Sequence, residues 1–207
     1  ITEGDGIEVQ ANYPDQPWEF PKETVVPEDH NNLVANALGL IGRKASIRIN
    51  KKIPPGTGLG GGSSNAAAVL RWNKYEDLKC ASQIGADVPF CINGGRAIVR
   101  GIGENIEKIS YKKQDFTLLI PPFSCSTKAV YQHWDHLGGP KGDHGNDLEP
   151  AAVSLYPELS KWRDLLGDTT GEQPRLAGSG STWYVEGAFP EEGLHVVSSI
   201  PRQNFGD

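Results

Sequence analysis

A mixed α+β fold is what this sequence predicts, on three observations. Period-two apolar runs such as Ile47, Ile49 and Ile53 alternate along the chain with helical patterns such as Leu33, Ala37, Leu38 and Ile41. Gly and Pro, 25 and 15 among 207 residues, cluster between those segments as punctuation and form no repeat. Hydrophobic residues at 37% and charged residues at 22% describe a chain that buries one core, or two small ones, and does not stay disordered.

Taken in order, Ile7 and Val9 predict a short strand, followed by a Pro-rich, acidic connection through Pro14, Pro17, Pro21 and Pro27. A helix then starts at Asn31 or Asn32, either a suitable N-cap, and Gly42 closes it. Ile47, Ile49 and Ile53 read as a half-buried strand running into Pro54-Pro55. Beyond the Gly-rich stretch at 56–62, Ser63 to Leu70 reads as a helix whose Ala66, Ala67 and Ala68 permit close packing. A second helical piece covers Tyr75 to Gln83, then Gly85 to Phe90 makes a turn, and Ala97 to Val99 leaves it as a strand. The connection between these two helices is short for an antiparallel pair, and residues missing near Asn73 would account for it.

Phe116 to Ile120 is an apolar strand stopped by Pro121-Pro122, and Ser126 caps a helix carrying Ala129, Val130 and Trp134. After a loop at 138–145, helical stretches follow at 147–155 and 158–166. The second turns Leu159, Trp162, Leu165 and Leu166 inward and stops at Gly167. Strands at 183–185 and 195–200 close the chain. The pattern divides into two domains, 1–113 and 114–207.

Lys plus Arg total 20 against 26 for Asp plus Glu, a net charge of −6 with no long basic run, so a nucleic-acid partner is not expected. No stretch approaches the ~20 apolar residues of a membrane span. Cys80, Cys91 and Cys125 are odd in number and show no CxxC spacing, which fits reduced thiols in a cytoplasmic protein. The acidic start, Ile1-Thr2-Glu3-Gly4-Asp5, has no signal-peptide pattern. Met is absent throughout, so the expectation is a sequence that omits an N-terminal segment, Met positions or loop residues. His133 and His136 have HxxH spacing with His144 beyond, but no fourth ligand is spaced to close a metal site, and solvated histidines are expected.

The chemistry concentrates in Pro54-Pro55-Gly56-Thr57-Gly58-Leu59-Gly60-Gly61-Gly62-Ser63-Ser64, between a strand and a helix. Glycines there expose successive backbone N–H groups, and the helix N-terminus adds positive potential, a geometry suited to a polyphosphate. Ser63 and Ser64 add hydroxyls able to meet phosphate or Mg²⁺. No Lys lies inside the segment, so it is not a Walker A loop. Gly56, Gly58 and Gly61 satisfy GxGxxG, but Pro54-Pro55 interrupts the entry and the acids about 20 residues on fall in a helical pattern, which leaves a dinucleotide-binding oxidoreductase as a runner-up. A structural Gly-rich turn is the bland alternative.

The run from Pro54 to Ala67 resembles the second motif of the GHMP kinases, the galacto-, homoserine, mevalonate and phosphomevalonate kinases. Gly85-Ala86-Asp87-Val88-Pro89-Phe90 with Gly101-Ile102-Gly103-Glu104, and Leu176-Ala177-Gly178-Ser179-Gly180-Ser181, match further elements of that family in the right order, as does Asn32-Leu33-Val34. The resemblance spans about residues 30 to 185. It implies a ribosomal-S5-like N-terminal domain and a ferredoxin-like C-terminal domain. The triple Gly followed by Ser-Ser-Asn is the form of the branch that uses ATP and Mg²⁺ to phosphorylate the 2-hydroxyl of a cytidine-diphosphate-linked methylerythritol, on the methylerythritol phosphate route to isoprenoids.

By that resemblance Pro54 to Ser64 hold the ATP phosphates and Asp87 is the general base, although Asp-Val-Pro alone would read as a turn or cap. Gly178, Ser179 and Gly180 form a second loop beside the substrate. Tyr131 falls where the family stacks an aromatic ring on cytosine, although beside Val130 and Trp134 it reads equally as a core aromatic. The family's first motif, a strand with a catalytic Lys, would precede residue 1. Lys51 and Lys52 adjoin the phosphate loop but lie in a strand pattern and are expected to be solvated. Another small-molecule GHMP kinase, or a nucleotide-binding homologue without turnover, remains open on these residues.

Overall fold

The computed structural model describes residues 1–12, 26, 29 and 31–202, so the Pro-rich connection through Pro14, Pro17, Pro21 and Pro27 lies outside the described residues. In the N-terminal part, β1 (Thr2–Glu3) and β2 (Glu8–Asn12) flank β3 (Ala45–Asn50), β1 antiparallel and β2 parallel to it. The alternation along β3 buries Ala45, Ile47 and Ile49 and exposes the residues between them, as period two requires. The strand ends at Asn50, short of the expected Ile53. Between β2 and β3 runs α1 (Leu33–Leu40), capped by Asn32, whose side chain accepts from the Val34 N–H at 2.9 Å. A cap of this kind is worth about 1 kcal/mol.

The next helix, α2 (Gly61–Trp72), starts two residues before Ser63 because Gly60, at φ +67, supplies a left-handed N-cap that a side chain would resist. Its Ala66, Ala67, Val69 and Leu70 pack with Val34, Ala37 and Leu38 of α1, so two of the three expected small residues lie in the helix pair, whereas Ala68 is exposed. The expected helix at 75–83 shrinks to α3 (Leu78–Ser82), which Asp77 caps through the Cys80 N–H. Five residues connect α2 to α3: Lys74 turns at φ +51 and the Tyr75 N–H donates back to the Leu70 carbonyl at 2.9 Å. Gly85 to Phe90 is not only a turn. It leads into α4 (Val88–Asn93), whose first turn tolerates Pro89 because an N–H there has no helical partner to lose. A hairpin of β4 (Ala97–Arg100) and β5 (Asn105–Lys108) follows, its second strand unmarked in the sequence pattern.

The C-terminal part is an antiparallel sheet in which β6 (Asp115–Leu119) lies between β8 (Trp183–Glu186) and β9 (His195–Ser198), with β7 (Arg175–Leu176) outside β8. Three helices, α5 (Thr127–His136), α6 (Glu149–Leu155) and α7 (Leu159–Thr170), fill the connection between β6 and β7. Trp183, 0% exposed, sits in a core with Leu119, Val130, Leu159, Leu166 and Val185. Helix α7 runs through Gly167 and ends at Gly171, φ +71, so Gly167 is an interior residue and not the stop. Leu165 is likewise 50% exposed and faces out, whereas Leu159 and Leu166 face in.

The two cores share no member, and the division expected after residue 113 falls between β5 and β6, where neither core has a residue. All three cysteines are free thiols. Burial pushes the Cys91 thiol up to about 11 and the Cys125 thiol up to about 12, so neither is a nucleophile near neutral pH. Among the described residues no helix is long and apolar enough to cross a membrane.

Candidate functional site

The connection from β3 to α2 is built on three glycines with positive φ, Gly56 (+68), Gly58 (+75) and Gly60 (+67). Thr57 between them is buried and its hydroxyl donates to the Pro54 carbonyl at 2.7 Å, which closes the loop on itself. The loop is then tied to the C-terminal part. The Cys125 N–H donates to the Gly56 carbonyl at 2.9 Å, and the Thr182 N–H donates to the Thr57 carbonyl at 3.2 Å. A Cβ on Gly58 would overlap the Ala177 carbonyl, and one on Gly56 would lie 2.6 Å from the Ser124 Cβ. Glycine is required at both points by close approach as well as by φ. The first loop and the 177–180 loop therefore form one seam.

A cavity of about 630 Å³ opens along that seam. It is lined by residues 54–63, and also by Asp87, Thr127, Tyr131, Gly178 and Ser179. The volume is that of a small-molecule site. Two residues of the expected site stand apart. The Ser64 N–H is spent inside α2 on the Gly60 carbonyl at 2.9 Å and Ser64 does not line the cavity. Gly180 is buried behind the loop, where its N–H donates to the Ala177 carbonyl at 2.9 Å.

Asp87 is exposed and occupies the N-cap position of α4 without making a capping hydrogen bond. The reading of this Asp as a mere cap is therefore not what the backbone uses it for, and its carboxylate stays open to the cavity. It is carried there by Gly85: a Cβ on Gly85 would lie 3.7 Å from the Ser63 hydroxyl, so the 85–87 turn abuts the start of α2. Gly103 backs that turn so closely that a Cβ on it would overlap the Ala86 carbonyl. Tyr131, on α5, is 52% exposed and lines the cavity, which excludes the core-aromatic alternative. Thr127, one turn earlier, meets Ser179 with their hydroxyls 2.9 Å apart.

Lys51 corrects an expectation. It is 5% exposed, not solvated, because β3 ends at Asn50 and the next residue turns under the loop. Its Nζ would lie 3.3 Å from a Cβ on Gly61, beside the first turn of α2. Burial holds its ammonium below the usual lysine range, and no acid among the described residues offsets that. A cation held in this way is poised for an anion from outside the chain. No sequence signal separates Lys51 from the exposed Lys52.

The histidines lie elsewhere. His133 and His136 stack 6.2 Å apart on α5, His133 meets the Ser154 hydroxyl at 3.0 Å, and no group of three candidate ligands is gathered among the described residues.

Residues 31–95 match the sequence profile of the GHMP kinases N terminal domain. A 4-diphosphocytidyl-2-C-methyl-D-erythritol kinase from Polynucleobacter asymbioticus is 37% identical over 160 residues, covering 67% of this chain and 54% of that protein. One from Pelotomaculum thermopropionicum is 34% identical over 213 residues, covering 86% of this chain and 74% of that protein. The chain thus spans about half the length of the first relative and about three quarters of the second. Among solved structures, a 4-(cytidine 5'-diphospho)-2C-methyl-D-erythritol kinase superposes with a TM-score of 0.60 at 26% identity, covering 87% of this chain and 74% of that chain.

Proposed function

The chain belongs to the GHMP kinases, and from that premise we propose that it transfers the γ-phosphoryl group of ATP to the 2-hydroxyl of 4-diphosphocytidyl-2-C-methyl-D-erythritol. The observation that carries the reading is one cavity holding a glycine loop at a helix N-terminus, a buried ammonium, an uncapped carboxylate and an exposed aromatic ring. The step belongs to isoprenoid precursor synthesis, with small-molecule partners and a cytoplasmic setting.

In this reading the N–H groups at the start of α2 and along residues 56–60 receive the triphosphate, where fixed donors stabilise charge spread over the γ-phosphoryl oxygens. Lys51 adds a nearly desolvated positive charge beside them. The donor set also fits Mg²⁺: the Ser63 hydroxyl and the phosphate oxygens would hold it, and it neutralises phosphate charge when bound. Asp87 takes the proton from the acceptor hydroxyl. That oxygen forms the new bond to the γ-phosphorus as the bond to the bridging oxygen breaks, and ADP leaves with the electron pair. Tyr131 stacks on the cytosine.

The test is ADP release with Mg-ATP and each of 4-diphosphocytidyl-2-C-methyl-D-erythritol, homoserine and mevalonate. Turnover with the first alone is expected. Turnover only with another acceptor would replace the substrate and the role of Tyr131. ATP binding without turnover would make the chain a silent homologue.

Two variants follow from the site. Tyr131→Ala should raise the acceptor KM about tenfold, the ~1–1.5 kcal/mol of one aromatic stack, and leave the KM for ATP unchanged. For Lys51→Met, calorimetry should record Mg-ADP binding weakened at least ~10-fold, the scale of one desolvated charge contact. Without ligand the variant should melt no lower than the parent. Burial favours the neutral Lys51, so in the pH window between its depressed pKa and ~10.4 the unfolded chain binds more protons and stability rises with pH. That rise should be absent from Lys51→Met.

A further inference from the structure

Asn146 lies outside the cavity, on the connection between α5 and α6, yet its side chain is committed to the 177–180 loop. The amide nitrogen donates to two carbonyls of that segment, Leu176 at 2.9 Å and Gly178 at 2.7 Å. The side-chain oxygen accepts from the Leu148 N–H at 3.0 Å, so the amide cannot rotate without losing all three bonds. Its backbone is fixed as well: the Glu149 N–H donates to the Asn146 carbonyl at 3.1 Å, and Gly142 passes so close that a Cβ there would overlap the same carbonyl. The donor is preorganised before any ligand arrives.

The consequence lies in the Gly178–Ser179 peptide, which is trans and planar. In a trans peptide the C=O and the N–H point in opposite directions. Asn146, which does not line the cavity, holds the Gly178 carbonyl on its own side, so the Ser179 N–H is turned away from Asn146. Gly178 and Ser179 both line the cavity, and the Ser179 N–H has no protein acceptor among the described residues, although its neighbours at Ala177 and Gly180 do. Gly178 itself, φ +54, sits against Gly58 of the first loop, where the two loops line the cavity together.

We propose that Asn146 is a positioning residue, one that fixes the Gly178–Ser179 peptide so that the Ser179 N–H donates to a phosphate oxygen of the substrates in the cavity. The inference rests on the kinase reading for the identity of the ligand and on the hydrogen bonds alone for the orientation of the peptide. Thr127 holds the neighbouring Ser179 hydroxyl, so the backbone N–H and the side chain are oriented by separate partners.

The test uses Asn146→Asp, which keeps the acceptor for Leu148 and replaces the donor with a second oxygen. Facing two carbonyl oxygens, that carboxyl titrates above the ordinary ~3.9 and, once protonated, donates again. Loss of one fixed donor to a developing phosphate charge costs about 100-fold when the donor is removed outright. A donor merely mis-aimed should cost about a tenth of that factor. ADP release by Asn146→Asp should therefore fall about tenfold in kcat/KM for the acceptor at pH 8 and recover toward the parent at pH 5.5, whereas Asn146→Ala should stay low at both. Variants that track the parent at both pH values would overturn the proposal. Should the parent show no turnover, the kinase reading fails by itself and hydrogen exchange decides the inference. Amides at 176–182 exchanging faster than the parent's in Asn146→Asp at pH 8, and equally at pH 5.5, support it. Equal exchange at both pH values overturns it.

Discussion

Asp87→Asn should lower kcat at least ~100-fold, the scale on which a positioned general base contributes, while the KM for ATP moves by no more than a few fold. The two halves of that expectation have different structural grounds. Asp87 contributes no capping hydrogen bond to α4, and Asn at an N-cap is as acceptable as Asp, so the helix should form unchanged. The phosphate loop is held by Thr57, Cys125 and Thr182, none of which involves Asp87. What the substitution removes is the ability to accept a proton from the acceptor hydroxyl. Thermal melting and Mg-ADP titration beside the kinetics separate this from a structural effect. A variant that loses nucleotide affinity and melting temperature together would mark Asp87 as a residue of the scaffold.

Gly58→Ala should abolish nucleotide binding and lower the melting temperature. A left-handed backbone with a Cβ costs about 1–2 kcal/mol, which a domain of this kind could absorb. The larger effect is steric. The new methyl would overlap the Ala177 carbonyl, and neither atom belongs to a flexible side chain that could swing away. The two loops must part, which breaks the bond from Thr182 to Thr57 and opens the seam that forms the cavity. Gly60→Ala is the control. It carries a similar φ, +67, but a Cβ there meets nothing, so only the backbone penalty should appear, as a loss of about 1–2 kcal/mol with a nucleotide site still present. Equal behaviour of the two variants would show that the close approach of the loops is not what builds the site.

What was legible in the sequence was local. The glycine run announced a loop before a helix because Gly and Pro restrict or free the backbone residue by residue, and Asn32 and Ser126 announced helix starts through their own side chains. The helix α4 was missed because Asp-Val-Pro carries a turn signal as strong as its helix-start signal, and only packing of Val88 under α2 decides between them. Gly167 carried a stop signal that three further residues of α7 overrode, with Gly171 supplying the left-handed end instead. The two-residue β7 exists through its pairing with β8 and has no pattern of its own.

The cavity was legible as motifs but not as a shape. Lys51 and Lys52 are adjacent and chemically alike, and which of them turns inward is set by where β3 lets go of the sheet. Asn146 gives no signal of this role, since the two carbonyls its amide nitrogen donates to lie 30 and 32 residues away. Positioning by an amide across that distance is a property of the assembled loops.

In the proposed reaction the glycine loop, Asp87 and Tyr131 act on one ligand pair in one cavity. Phosphorus NMR of the protein incubated with Mg-ATP and 4-diphosphocytidyl-2-C-methyl-D-erythritol tests it most directly. A new phosphomonoester resonance on the acceptor is expected to grow in step with ADP, and to be absent with Asp87→Asn over the same interval. ADP appearing with inorganic phosphate and an unmodified acceptor, or the same phosphomonoester formed at an undiminished rate by Asp87→Asn, would contradict it.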